Sequence, residues 1–242
     1  SASTVSDDKI LTAQAGAGAA SGSYTVQVTQ LAKANQITNK AVKAVSGTTE
    51  VVSSGAGTFT FRVGSGTDRT VALSAGATLD DLRSAINDLG AGVTASVINT
   101  GTEASPAYRL TLTATSSGAA NAITVVTDTT ALDFTNTSGT GGNDTLQAGQ
   151  NAIVVIGDPD QTPISIERAG NVITDAIPDV TLTLKSKTVT TPDPEPVTVN
   201  ISNDPASVKT NIKTLVTAYN DIVKFVNDRT AHDITSKTGG IF

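Results

Sequence analysis

The chain of 242 residues contains no cysteine and a single histidine, and these two shortages remove several kinds of chemistry at once. Disulfides, thiol nucleophiles and thiolate metal sites are ruled out, and zinc sites with several histidine or cysteine ligands are excluded by count. Aromatic residues make up only 3% of the chain, so the core must be built from Val, Ile, Leu and Ala. No apolar run reaches the roughly 18 residues of a membrane-spanning helix, and no signal peptide opens the chain. Positive charge is not in excess: the formal net charge is -6, which repels a nucleic-acid duplex or an anionic membrane surface. Neither nucleic-acid binding nor membrane insertion is expected. A GK[ST] phosphate loop is missing, and Gly16, Gly18 and Gly22 do not form a dinucleotide fingerprint.

What the chain does have is glycine, threonine and serine around short β-branched runs, a composition of strands and turns. The stretch from Gln150 to Leu184 shows this most clearly. Ile153, Val154, Val155 and Ile156 form one run; Ile164 and Ile166 alternate with polar residues, as do Val180, Leu182 and Leu184. This is the period-2 pattern of strands buried on one face. Ala169-Gly170-Asn171 and Asp175-Ala176-Ile177-Pro178 read as turns between them.

NVITDAIPDVTLTL, with the preceding QNA, resembles the start of the C-terminal half of the bacterial flagellar filament cap proteins, the hook-associated protein 2 family. Asn171, Thr174, Asp175, Ile177, Pro178, Val180, Thr181 and Leu182 fall on matching positions, and Asp179 replaces the glycine usual there. A second segment, Gly22, Tyr24, Val26, Val28, Gln30, Leu31 and Ala32, is similar to a strand of that family. A third, TLDDLRSAINDLGAGVTASVIN followed by YRLTLTATSSGAANAITV, resembles the module inserted in flagellins and hook-associated proteins.

The expected fold class is α+β, mainly β, with two small β-rich domains, one inserted in the other, and a C-terminal amphipathic helix leading to a helical stalk. Residues 1–49 give a lead-in (Ser1 to Gly22) and the first strand of a discontinuous domain. Residues 50–148 give the insert, a hairpin, a helix and further strands, with Asn136 to Gly149 as the return linker. Residues 149–203 complete the first domain, and residues 204–242 form the stalk helix and a frayed tail. Within the insert, Thr78 and Asp81 form a capping box, Leu79, Leu82, Ile86 and Leu89 share a helix face, and Gly90 and Gly92 end it. Thr191 to Pro196 reads as a stiff acidic loop. The chain opens at Ser1 without methionine and stops at Ile241-Phe242, which reads as a portion of a longer protein.

Asp204 and Pro205 are a helix start signal. Val208, Ile212, Leu215, Tyr219, Ile222 and Val226 then recur at alternating four- and three-residue steps, with Val216 and Val223 beside them. Such a heptad stripe requires partner helices, and these six residues are the candidate interface.

No constellation of residues points to catalysis. His232 lies in the tail, Asp80 and Asp81 are explained by helix capping, and Asp158, Asp160 and Thr162 lack the glycine and glutamate of a calcium loop. No enzyme activity and no cofactor are expected. The resemblance implies a secreted structural protein at the distal filament tip that retains flagellin and promotes its polymerisation. Its partners would be flagellin and further copies of itself. The alternatives are an adhesin-type module for host mucus or glycans, or a domain of another flagellin or hook-associated protein.

Overall fold

The computed structural model describes residues 1–188 and 195–230. The strands assemble around two separate hydrophobic cores. In the first, a five-stranded antiparallel sheet runs in the order Ala2–Val5, Val197–Ser202, Gly22–Gln30, Ala152–Ile156, Ile164–Arg168. It shares its core with a three-stranded sheet of Val172–Ile177, Val180–Leu184 and Leu11–Ala15. Val26, Val28, Val154, Leu182 and Val199 are fully buried or nearly so, at every second position of their strands. Because the inward residues are aliphatic and β-branched, the core closes without an aromatic ring among its buried members.

The second core gathers a four-stranded sheet, Asn143–Gln147, Ala34–Asn39, Tyr108–Ser117 and Val93–Asn99. With it pack a three-stranded sheet, Ile123–Asp128, Gly57–Val63 and Arg69–Leu73, and a short pair, Val51–Ser53 with Ala77–Thr78. Here the rare aromatics matter: Phe59 and Phe134 meet edge to face with centroids 5.5 Å apart. Helix α1, Leu79–Asp88, starts at the expected capping box, in which the Asp81 N–H donates to Thr78 Oγ1 at 3.2 Å and the Thr78 N–H to Asp81 Oδ2 at 2.9 Å. It buries Leu79, Leu82 and Ile86. Leu89, expected on the same face, is the C-cap residue and is exposed.

Several stretches differ from the expectation, and in each case the cause is main-chain pairing. Residues 1–22 are not a lead-in: Ala2–Val5 pairs with Val197–Ser202, and Leu11–Ala15 pairs with Val180–Leu184. Ala34–Asn39, grouped by sequence with residues 1–49, lies between Asn143–Gln147 and Tyr108–Ser117 in the second core. Asn143–Gln147 itself falls in the supposed return linker and is an edge strand. The chain therefore passes between the cores at Lys33 and Gln150, which pair with each other. The turn expected from Asp175 is shorter, since the strand Val172–Ile177 runs on and only Pro178 and Asp179 turn. Asp179 sits at φ 57°, the left-handed region that glycine adopts without strain. Positions 191–194 of the acidic loop lie outside the described residues.

Carboxylates tie down the second core. Asp133, at φ 50°, accepts hydrogen bonds from both the Oγ and the N–H of Ser138 and of Thr137. Those bonds, the Ser138 hydroxyl first, hold its carboxyl far below the usual range. Asp144 lies between Lys40 and Arg109 and is lowered by their hydrogen bonds. Hydrogen bonds from Ser46 to Glu50, Thr78 to Asp81 and Arg168 to Asp175 act in the same direction. Asp128 is the exception, raised by burial despite accepting the N–H groups of Thr130 and Phe134.

A lowered carboxylate contributes stability that is present above its unfolded value and lost as pH falls toward its folded one; raised Asp128 does the reverse. Five lowered groups against one raised make the melting temperature fall below about pH 4. Asp133→Asn should flatten that acid limb in a pH series of thermal melts, and an unchanged limb would refute the assignment. At the Pro178-Asp179 turn, Asp179→Val should cost about 1–2 kcal/mol in denaturant unfolding, while Asp179→Gly should cost nothing or stabilise.

Candidate helix-packing surface

Beyond Ser202 the chain leaves the five-stranded sheet and, after Asn203 and Asp204, enters helix α2, Pro205–Thr230. Proline suits the first position because its missing N–H would have no partner there in any case. The Val208 N–H closes the first turn on the Asp204 carbonyl at 3.4 Å. At about 1.5 Å per residue the 26 residues extend about 39 Å.

Every described side chain from Val208 to Asp228 is exposed. All six residues singled out by spacing lie on this helix: Leu215 is 70% exposed, Tyr219 66% and Ile222 63%, and Val208, Ile212 and Val226 are each about half exposed. The stripe is wider than its six-residue seam. Val216 and Val223 flank it on one side, and Ala218 and Phe225 on the other. Phe225 lies on the flank opposite Val216 and Val223 and was not singled out by the spacing. Its signal was its place seven residues after Ala218, one heptad on. A seam with both flanks apolar suits a bundle of several helices better than a two-stranded coiled coil, whose apolar stripe is narrower.

The Thr214 hydroxyl donates back to the Thr210 carbonyl at 3.0 Å, which satisfies it within the helix. Among the described residues there is no grouping of three or more potential metal-binding side chains. Asp158, in the hairpin tip, accepts the Asp160 N–H at 2.9 Å and so caps its own turn. His232 lies outside the described residues.

Comparison with known families puts this helix in context. Residues 1–35 match the family model for the flagellar hook-associated protein 2 N-terminus, and residues 149–240, which include α2, match that for its C-terminus. The chain belongs to the flagellar hook-associated protein 2 family. Residues 58–116, in the second core, match the flagellin hook IN motif. Across 97% of its length the chain is 30% identical to the B-type flagellar hook-associated protein 2 of Pseudomonas aeruginosa, and it covers 49% of that protein. The Salmonella typhimurium relative is 34% identical over 60% of this chain and 29% of its own length. The fold is similar to the crystal structure of the Escherichia coli flagellar cap protein FliD D1-D2-D3 domains, with a TM-score of 0.78 and 29% identity over 93% of this chain and 73% of that one. It is also similar to FliD from Pseudomonas aeruginosa, with a TM-score of 0.69 and 26% identity over 93% and 98%. The chain thus spans about half the length of the Pseudomonas relative it matches almost from end to end.

Because the stripe lies outside both cores, Leu215→Asp with Ile222→Asp should leave the stability of the β sheets within about 0.5 kcal/mol of the parent in denaturant unfolding followed by strand signals. A larger loss would mean that α2 packs on the sheets.

Proposed function

We propose that this chain forms the β-rich head and the first stalk helix of a structural cap at the distal tip of the bacterial flagellar filament. The cap is exported, self-associates, retains flagellin at the growing end and promotes its insertion. The role involves no catalytic step and no cofactor. In this reading the two cores are two domains, residues 34–149 being inserted in the unit made by 1–33 and 150–203. The single observation that carries the proposal is the solvent-exposed apolar stripe of α2, on a helix that continues directly from a cap-family head.

Two further features support a helical stalk. The relatives are about twice as long as this chain, so there is sequence to supply partner helices. Pairing of Ala2 with Ser202 brings any chain preceding Ser1 past the base of α2, where it can pack along the stripe. Seated in the stalk, Ile212, Leu215, Tyr219 and Ile222 would hold the head in place over the filament end. No feature among the described residues favours the glycan-binding alternative.

The test is complementation of a gene deletion in a motile bacterium with the full-length protein. Ile212→Asp combined with Tyr219→Asp should release monomeric flagellin into the medium and leave few filaments, while the parent gene restores them. Normal filaments from the double variant would reject the proposal.

A further inference from the structure

Two segments join the cores, Leu31 to Lys33 on the way out and Ala148 to Asn151 on the way back. A pair of strands of this kind, left to itself, bends easily. Here a third element reaches across. The end of Tyr108–Ser117 and the residues after it, in the second core, come down onto the turn around Ala169 in the first. The Ser117 hydroxyl donates to the Ala169 carbonyl at 2.7 Å. The Ala119 N–H donates to Asn151 Oδ1 at 2.9 Å, and Asn151 Nδ2 in turn donates to Glu167 Oε1 at 2.7 Å. Between them the Gly118 N–H donates to the Lys33 carbonyl at 3.1 Å.

Beneath this contact the two joining segments are stitched together. Lys33 and Gln150 exchange both main-chain hydrogen bonds, at 2.9 and 3.0 Å. The Asn171 carboxamide takes the Ala32 N–H and donates to the Ala32 carbonyl. Space is as tight as the bonding. Gly118 lies at φ 109°, and a Cβ there would stand 2.8 Å from that of Ala169; one on Gly149 would stand 2.7 Å from the Gly118 carbonyl.

We propose that Ser117-Gly118-Ala119 is a brace that locks the neck, so that the two β units move as one rigid arm. With the neck stiff, a displacement of one unit is passed to the other. The brace depends on local hydrogen bonds and close packing, not on the stripe of α2 or on any partner.

Spin labels introduced through Thr4→Cys in the first unit and Asp88→Cys in the second, in this chain diluted with unlabelled chain so that only distances within one molecule are read, measure the distance between the units; both sites are exposed and the chain has no other cysteine. A single narrow distribution is expected, broadening markedly in Ser117→Ala/Asn151→Ala and restored toward the parent width when Ser117→Thr replaces Ser117→Ala. Amide exchange at Ala119 should rise about tenfold in the double alanine variant, since its N–H loses the Asn151 Oδ1 acceptor and each lost hydrogen bond contributes locally to protection. A broad or multi-peaked distribution in the parent, or a double variant that leaves both width and exchange unchanged, would overturn the brace. Neither readout involves filament capping, so this inference and the cap proposal fail separately.

Discussion

The molecule depends on one pairing, that of Lys33 with Gln150. Among the described residues the chain crosses from the first core to the second once and returns once, and the two crossings run side by side because each completes the other's main-chain hydrogen bonds. That requirement explains why strands far apart in sequence are neighbours in space. Gly22–Gln30 feeds the outward crossing and Ala152–Ile156 receives the return, and they lie next to each other in the five-stranded sheet. On the far side, Ala34–Asn39 and Asn143–Gln147 are paired for the same reason. Inserting a whole β unit is tolerated because its ends are already adjacent, so closing the loop demands little additional ordering of the first unit.

The two cores solve the shortage of aromatics differently. The first relies on aliphatic alternation in two facing sheets, where Val and Leu from opposite faces fill the space. The second has α1 and strands from three small sheets to join, a less regular volume, and places Phe59, Phe61 and Phe134 there. It also contains the buried carboxylates. Asp128 receives the main-chain N–H groups of Thr130 and Phe134, and Asp133 those of Thr137 and Ser138. These bonds hold the connection after Ile123–Asp128 in place where no ladder is available to pair its amides. Leu132 and Phe134 reach the core because that connection is fixed.

Sequence showed those parts of the fold whose side chains alternate between core and solvent. Val26, Val28, Val180, Leu182, Val197 and Val199 read as strands because one face of each is buried. The capping box at Thr78 and the stripe of α2 were equally plain, since local spacing alone defines them. Ala2–Val5, reading ASTV, and Asn143–Gln147, reading NDTLQ, were not legible. Both are edge strands held through the backbone on one side, and an edge needs no alternating pattern. The boundary at residue 49 was misplaced for a related reason. Ala34–Asn39 buries Asn35 and Asn39, whose carboxamides bond main-chain groups, so the strand looks polar although it lies inside its sheet. On α2 the sequence identified the face but not its breadth, because flanking positions count only once partners are placed around the helix.

The contrast between cores and helix has a consequence for assembly. An isolated helix gains little from its own hydrogen bonds and depends on tertiary packing for most of its order. α2 carries its apolar residues away from both cores, so the sheets do not supply that packing. Each β unit buries its own aliphatic face and can be ordered before anything else binds. The division falls at Asn203 and Asp204, between the last sheet strand and the proline that begins the helix. A protein arranged this way can complete its β units independently of the helix, and in the proposed stalk the stripe, flanked by Val216 and Val223 on one side and Ala218 and Phe225 on the other, would take cover from more than one side.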